Sequence, residues 1–220
     1  MAIEPVTFAA GKLRLEGALH LPEGAPPFPG VAVCHPHPLY GGDMHNSVVV
    51  AVCEALVAGG IAALRFNFRG TGESEGSFGG GLDEQQDARA ALGFLAKWPS
   101  LRAGALGLAG YSFGAIVALS TIDERVRALA AVSPPLAMGG TSPLPRCPTL
   151  FVFGDRDGIA PASGLSAVAP QSFAEQEIIV VPGADHFWSG KAGVAAAHVA
   201  DFFRRRLLSA DAGDAGTGAI

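Results

Sequence analysis

Ser112 stands in the pentapeptide Gly110-Tyr111-Ser112-Phe113-Gly114, the G-x-S-x-G spacing that holds a nucleophile on a turn too sharp for side chains on its flanking residues. A serine hydroxyl is a poor nucleophile at neutral pH. It needs a base to take its proton and a third group to orient that base. The same pattern recurs at Gly72-Glu73-Ser74-Glu75-Gly76, as expected of a chain with 30 glycines. Context separates the two. A short apolar run suited to a buried strand leads into Ser112, and an apolar run of helical length follows it. Ser74 lies among glycines and acids with no helix-forming run after it, and reads as loop.

The partners of Ser112 should follow it as an acid and then a histidine, each on a loop after a strand. Gly154-Asp155-Arg156-Asp157-Gly158 directly follows an apolar strand at Cys147–Phe153. Asp157 is the preferred acid because it lies further past the strand, and Asp155 is left to pair with Arg156 or with backbone N–H groups of the turn. His186, in Gly183-Ala184-Asp185-His186-Phe187, is the only histidine at the end of a strand after the acid. His198 falls within a helix and His20 on an early strand, and both read as surface or partly packed residues.

A tetrahedral intermediate needs two prearranged donors for its oxyanion. One is expected at the backbone N–H of Phe113. The other must come from His35-Pro36-His37-Pro38-Leu39-Tyr40-Gly41-Gly42, where the prolines have no N–H to give. His37 is the first choice, with Leu39 and Tyr40 in reserve. His35, His37, Asp43 and His45 also form a rival set of metal ligands. No spacing among them matches a common zinc motif and the serine chemistry needs no metal, so no metal or cofactor is expected. His35 is expected to be a structural histidine beneath the site.

These residues need a scaffold, and the pattern supplies one. Strands are expected around Val6–Phe8 and Leu13–Leu19, joined antiparallel at Gly11, then at Val31–Cys34, Ile61–Phe68, up to Ser112, Val126–Val132, Cys147–Phe153 and Glu177–Val181. Helices are expected over Met44–Ala58 with Asp43 as N-cap, Leu82–Lys97, from the elbow to about Ile122, Ala160–Ala169 and Ala192–Leu208. Strand and helix alternate, which implies a mostly parallel α/β sheet with helices on both faces and its chemistry beyond the carboxyl ends of the strands. Residues 1–209 are expected to form one domain, and 210–220 a disordered tail.

The bulk properties fit. A hydrophobic fraction of 49% over 220 residues supports a sizeable core. A net charge of −5, with no basic run longer than Arg204-Arg205-Arg206, argues against a nucleic-acid partner. Those arginines are expected to solvate and complement the end of the last helix. Three cysteines without a C-x-x-C, an N-terminus unlike a secretory signal and no apolar segment of spanning length point to a cytoplasmic protein away from membranes. Oligomeric state is not legible.

Together, Cys34-His35-Pro36-His37-Pro38-Leu39-Tyr40-Gly41-Gly42, Met44-His45-Asn46, Arg65-Phe66-Asn67-Phe68-Arg69-Gly70-Thr71-Gly72, the elbow, Gly154–Asp157 and Asp185-His186-Phe187 resemble the small bacterial α/β-hydrolases related to dienelactone hydrolases and prolyl-peptidase-like enzymes. The resemblance spans nearly the whole chain. It implies an α/β-hydrolase fold, a triad of Ser112, Asp157 and His186, and hydrolysis of small carboxylic esters. Dienelactone hydrolases proper carry cysteine where this chain has Ser112. The loop Ser133–Arg146 stands where such folds commonly insert a cap, which implies an open, lidless site suited to short acyl chains. Tyr40, Leu136, Met138, Phe187, Trp188 and Phe113 are candidate pocket walls, or else core. Thioesterase, peptidase and acyltransferase activities could use the same triad, and a non-catalytic binding protein could keep the same fold.

Overall fold

The computed structural model describes residues 1–138, 146–167 and 175–208. The expected tail at 210–220 and the middle of the 133–146 loop lie outside them. The strands are β1 (Ala2–Ala10), β2 (Leu13–Leu21), β3 (Phe28–Cys34), β4 (Ala62–Phe66), β5 (Leu101–Tyr111), β6 (Val126–Val132), β7 (Thr149–Gly154) and β8 (Gln176–Val181). They form one sheet in the order β1-β2-β4-β3-β5-β6-β7-β8. β1 and β2 run antiparallel, β2 meets β4 antiparallel, and every other pairing is parallel. The crossovers carry α1 (Ser47–Ala58), α2 (Glu84–Lys97) and α3 (Phe113–Ser120), and α4 (Ala192–Phe203) follows β8.

Alternation along the central strands distributes the core. Val31 and Val33 of β3 face a cluster with Val49, Val52 and Leu56 of α1 and Val199, Phe202 and Phe203 of α4. Ala32 and Cys34 face the other cluster, with Leu92 and Leu95 of α2 and Ala115 and Leu119 of α3. Both sheet faces are thus buried, as uninterrupted apolar strands require. The parallel strands β3, β5, β6, β7 and β8 end at Cys34, Tyr111, Val132, Gly154 and Val181, and the loops leaving these ends carry the expected site residues.

Several boundaries differ from expectation. Asp43 does not cap α1: its Oδ1 accepts from His45 N–H, and Asn46 is the cap, accepting from Val48 N–H. The helix starts later because Met44 N–H donates to Asn67 Oδ1 at 2.8 Å and holds residues 43–46 as a loop across the site end of β4. α3 stops at Ser120, two residues before the expected Ile122. Of the expected helix at Ala160–Ala169, the described part is a 3-10 turn over Ala162–Ala167, and 168–169 lie outside the described residues. α4 passes into a π turn at Arg204–Leu208, where Arg205 and Arg206 pair with Glu177 and Arg206 also with Glu175. Arg205 and Arg206 therefore tie this turn to β8 rather than only solvating it, while Arg204 pairs with Asp201 of α4. No described helix is long and apolar enough to cross a membrane.

Candidate active site

The turn from β5 into α3 takes a single residue. Ser112 has φ 54 and ψ −118, a conformation that costs an L-residue of the order of 1–3 kcal/mol and persists only where its surroundings enforce it. Its N–H donates to Val132 O at 2.9 Å, and its carbonyl accepts from Ala115 and Ile116. The flanking glycines are required by contact. A Cβ on Gly110 would lie 2.2 Å from Gly114 O, and one on Gly114 would lie 2.4 Å from the carbonyl oxygens of both Cys34 and His35. The second G-x-S-x-G serine has a different task. Ser74 is buried, donates to Asn67 O and accepts from Glu16 N–H, which pins its loop to β2.

Ser112, His186 and Asp157 are brought into one hydrogen-bonded series. Ser112 Oγ lies 3.0 Å from His186 Nε2, and His186 Nδ1 lies 3.0 and 2.9 Å from Asp157 Oδ1 and Oδ2. The carboxylate is held by its own loop, since Oδ1 also accepts from Ile159 and Ala160 N–H. Burial pushes the Asp157 carboxyl up, but donors from His186, Ala160 and Ser133 outweigh it and hold the group below the ordinary aspartate value. The histidine loop is fixed by Tyr111, whose hydroxyl donates to His186 O at 2.7 Å. Asp155 turns elsewhere, accepting from Gly183 N–H at 2.6 Å.

The loop after β3 narrows the choice of second oxyanion donor. Leu39 N–H donates to His37 Nδ1, and Tyr40 N–H donates to His37 O. The N–H of His37 has no acceptor among the described residues. Phe113 opens α3, where first-turn N–H groups lack intrahelical partners. His35 is wholly buried: Nδ1 donates to Pro36 O at 2.6 Å and Nε2 accepts from Phe68 N–H at 3.1 Å. Burial lowers it to about 4 against the opposing pull of Pro36 O and Asp43, so it stands neutral as a strut between two site loops. With both its nitrogens committed, the rival ligand set does not assemble. No three His, Cys, Asp or Glu side chains among the described residues could hold a metal ion.

The other expected residues divide. Tyr40 and Phe187 are exposed at the mouth, with ring centroids 4.8 Å from His37 and 5.6 Å from His186. Leu136 is buried in the core. Met138 ends a 3-10 turn, and its side chain lies outside the described residues. Trp188 is not a pocket wall. Only 1% exposed, it packs in the cluster with α4, and its Nε1–H donates to Ser133 Oγ at 3.1 Å. A positive φ of 56 turns it inward, away from the mouth that Phe187 occupies. His20 lies deeper than a partly packed residue: it is 1% exposed and accepts from Arg65 Nε at 2.9 Å. Phe78 was not legible as a site residue, yet its ring centroid lies 4.9 Å from His37 and 5.7 Å from Phe113. The signal present was an aromatic in a glycine-rich loop following a site-facing strand.

Comparison with known proteins agrees with this fold. The sequence model of the X-Pro dipeptidyl-peptidase (S15) family matches residues 11–142. An uncharacterized protein of Rickettsia prowazekii (strain Madrid E) is 35% identical over 191 residues, covering 81% of this chain and 79% of that one. An α/β serine hydrolase homologue from Coxiella burnetii superposes with a TM-score of 0.81 at 32% identity, over 90% of this chain and 96% of its own. A lidless α/β serine hydrolase from Xanthomonas campestris gives 0.82 at 32% identity, over 93% and 95%. The family match spans more than half of the chain and the two α/β serine hydrolases share nearly its whole fold; this chain accordingly belongs to the X-Pro dipeptidyl-peptidase (S15) family and is a serine hydrolase of the α/β-hydrolase type.

Proposed function

We propose that this hydrolase is a carboxylesterase of small, short-chain esters, with Ser112, His186 and Asp157 as its catalytic triad. The observation that carries the reading is the unbroken series from Ser112 Oγ through His186 to Asp157, with all three links at 2.9–3.0 Å. Ser112 Oγ attacks the ester carbonyl as His186 Nε2 takes its proton, and Asp157 holds Nδ1–H so that Nε2 is free to accept. The tetrahedral oxyanion is received by the N–H groups of Phe113 and His37, each worth some 2.7–4 kcal/mol of transition-state stabilisation. Collapse expels the alcohol, which takes the proton back from His186. Water, activated by the same imidazole, then releases the acid and restores Ser112.

An open mouth supports short acyl groups and small alcohols. Tyr40 at 88% and Phe187 at 67% exposure offer apolar surface there for a small group. Activity without activation at a lipid interface is expected. The three cysteines are free, in keeping with action in the reducing cytoplasm. The family's description favours a second reading, a peptidase on the same triad.

The test is turnover of 4-nitrophenyl acetate and butyrate beside an X-Pro nitroanilide, with fluorophosphonate labelling of wild type and Ser112→Ala. The expected result is ester hydrolysis and a covalent adduct in wild type, with ester turnover down about 10⁴-fold or more and no adduct in Ser112→Ala. Unchanged turnover in that variant would remove the triad reading, and preferential anilide cleavage would move the substrate class to peptides.

A further inference from the structure

Glu84, the first residue of α2, is wholly buried, and the proposed chemistry leaves it idle. A buried carboxylate is costly unless its oxygens are satisfied. Here each oxygen accepts one backbone N–H at 2.7 Å, from Gly79 and from Gly81. The carboxylate also sits at the positive end of α2. Two buried or half-buried partners reinforce the same segment. Asp87, one turn on, takes both Arg69 N–H and the Arg69 guanidinium, which also reaches Asp83 at 3.3 Å. The chain from Arg69 to Asp83 is therefore clamped at both ends onto α2.

The clamped segment carries Phe78. Its ring packs on those of His37 and Phe113, which themselves lie 4.8 Å apart, centroid to centroid. Gly81, at φ 93, brings backbone so close to the Phe113 ring that a Cβ there would stand 3.4 Å from Cε2. His37 and Phe113 are the residues whose N–H groups would receive the oxyanion, and they arrive on different elements, the loop after β3 and the start of α3. Phe78 bridges them from a third.

We infer that Glu84 is a positioning residue for the oxyanion site: by fixing the Gly79 and Gly81 N–H groups it holds Phe78 against His37 and Phe113 and so sets the spacing of the two donors. The inference rests on the serine-esterase reading of Ser112. Donors of this kind act through tenths of an ångström, and misplacement by about 1 Å can cost 10²-fold in rate. Because the oxyanion exists only in the transition state, the loss falls on kcat and not on KM. A latch that merely stabilised the fold would move the melting temperature and leave kcat of the folded enzyme alone.

The experiment uses Glu84→Gln, Phe78→Ala and the double variant, with melting temperature measured for each. In Glu84→Gln one amide oxygen still accepts, but the NH₂ opposes the second N–H. Turnover of 4-nitrophenyl acetate should fall about 10- to 100-fold in either single variant with KM within about twofold of wild type. The double variant should be no slower than the slower single, because both act through one contact. Fluorophosphonate labelling of Ser112, in which the phosphoryl oxygen takes the oxyanion position, should slow by a similar factor. That readout needs no ester substrate, so it tests the latch even if the ester reading fails. If Glu84→Gln does not fold, half-buried Phe78 still carries the test through Phe78→Ala and Phe78→Leu. Phe78→Ala with unchanged labelling rate and kcat overturns the inference, as do single-variant losses that multiply in the double variant. Slow Phe78→Ala beside an unaffected Ser112→Ala would overturn the Ser112 reading and this inference with it.

Discussion

Two aspartates separated by one residue perform different work because of where their oxygens point. Asp157 gives both oxygens to His186 Nδ1 while Ile159 and Ala160 N–H hold Oδ1 in place. Asp155 reaches back to Gly183 N–H and braces the loop that delivers His186. Asp157→Ala should therefore lower kcat about 10⁴-fold with little change in KM, as loss of an orienting acid does elsewhere. Asp155→Ala should keep activity within about tenfold and cost at most ~1–2 kcal/mol of stability, the value of one hydrogen bond. Ester kinetics and urea titration of the two variants decide it, and an Asp155→Ala enzyme slower than Asp157→Ala would reverse the assignment. The preference for Asp157 could be read from the spacing, since it lies further past β7; both aspartates meet the histidine loop, Asp155 at the Gly183 N–H and Asp157 at the His186 ring. Trp188 was not legible: beside Phe187 its aromatic character suits a mouth, and a single backbone angle, φ 56, sends it into the core.

At the scale of elements, the elbow is a three-way junction of β5, α3 and the end of β3. Gly114 lets α3 rest directly on the Cys34 and His35 carbonyls, where any Cβ would intrude to 2.4 Å. Gly114→Ala should thus force β3 and α3 apart, destabilising the fold by about 1–3 kcal/mol and lowering kcat beyond what the stability loss explains. Gly104→Ala, at a position with nothing within 4 Å, serves as the neutral control. Equal urea midpoints for the two variants would show that the contact is not limiting. The strands of this junction could be read from their apolar runs to within a few residues. The start of α1 could not, because Asp43 and Asn46 are both competent caps and the choice was made by Asn67, which holds Met44 N–H from a strand away in sequence.

At the scale of the whole molecule, buried histidines couple the fold to pH. His35 must stay neutral to accept from Phe68 N–H, and its burial lowers it from 6.5 to about 4. His20 is lowered to about 4 as well, first by burial and then by Arg65. In the unfolded chain both take up protons below about 6.5, while in the fold they do not until about 4, so the unfolded state binds more protons throughout that window and stability falls as pH falls. At about 1.4 kcal/mol per unit, His35 alone accounts for a loss of roughly 3 kcal/mol between the two values. Asp157 works lower: its depressed carboxyl contributes stability above the ordinary aspartate value and loses it as pH falls through the native one. The expected observation is a urea midpoint that drops steadily from pH 7 to 4.5, with a shallower drop in His35→Gln. A wild-type midpoint flat across that range would contradict the buried neutral histidine.

The chain by itself determined the fold class and the candidate triad, because both depend on local and ordered information: a turn that demands glycines around Ser112, apolar runs of strand and helix length, and an acid and a histidine arriving in sequence after successive strands. Tertiary structure alone decided what depends on direction and on distant neighbours. It gave Ser74 its task, buried between Asn67 O and Glu16 N–H, and left His37 as the donor candidate by occupying the N–H groups of Leu39 and Tyr40. It also took Trp188 from the mouth into the core. The placement of Phe78 across His37 and Phe113 belongs here too, since it depends on a carboxylate at Glu84 meeting two glycine N–H groups through a loop whose course no periodicity encodes.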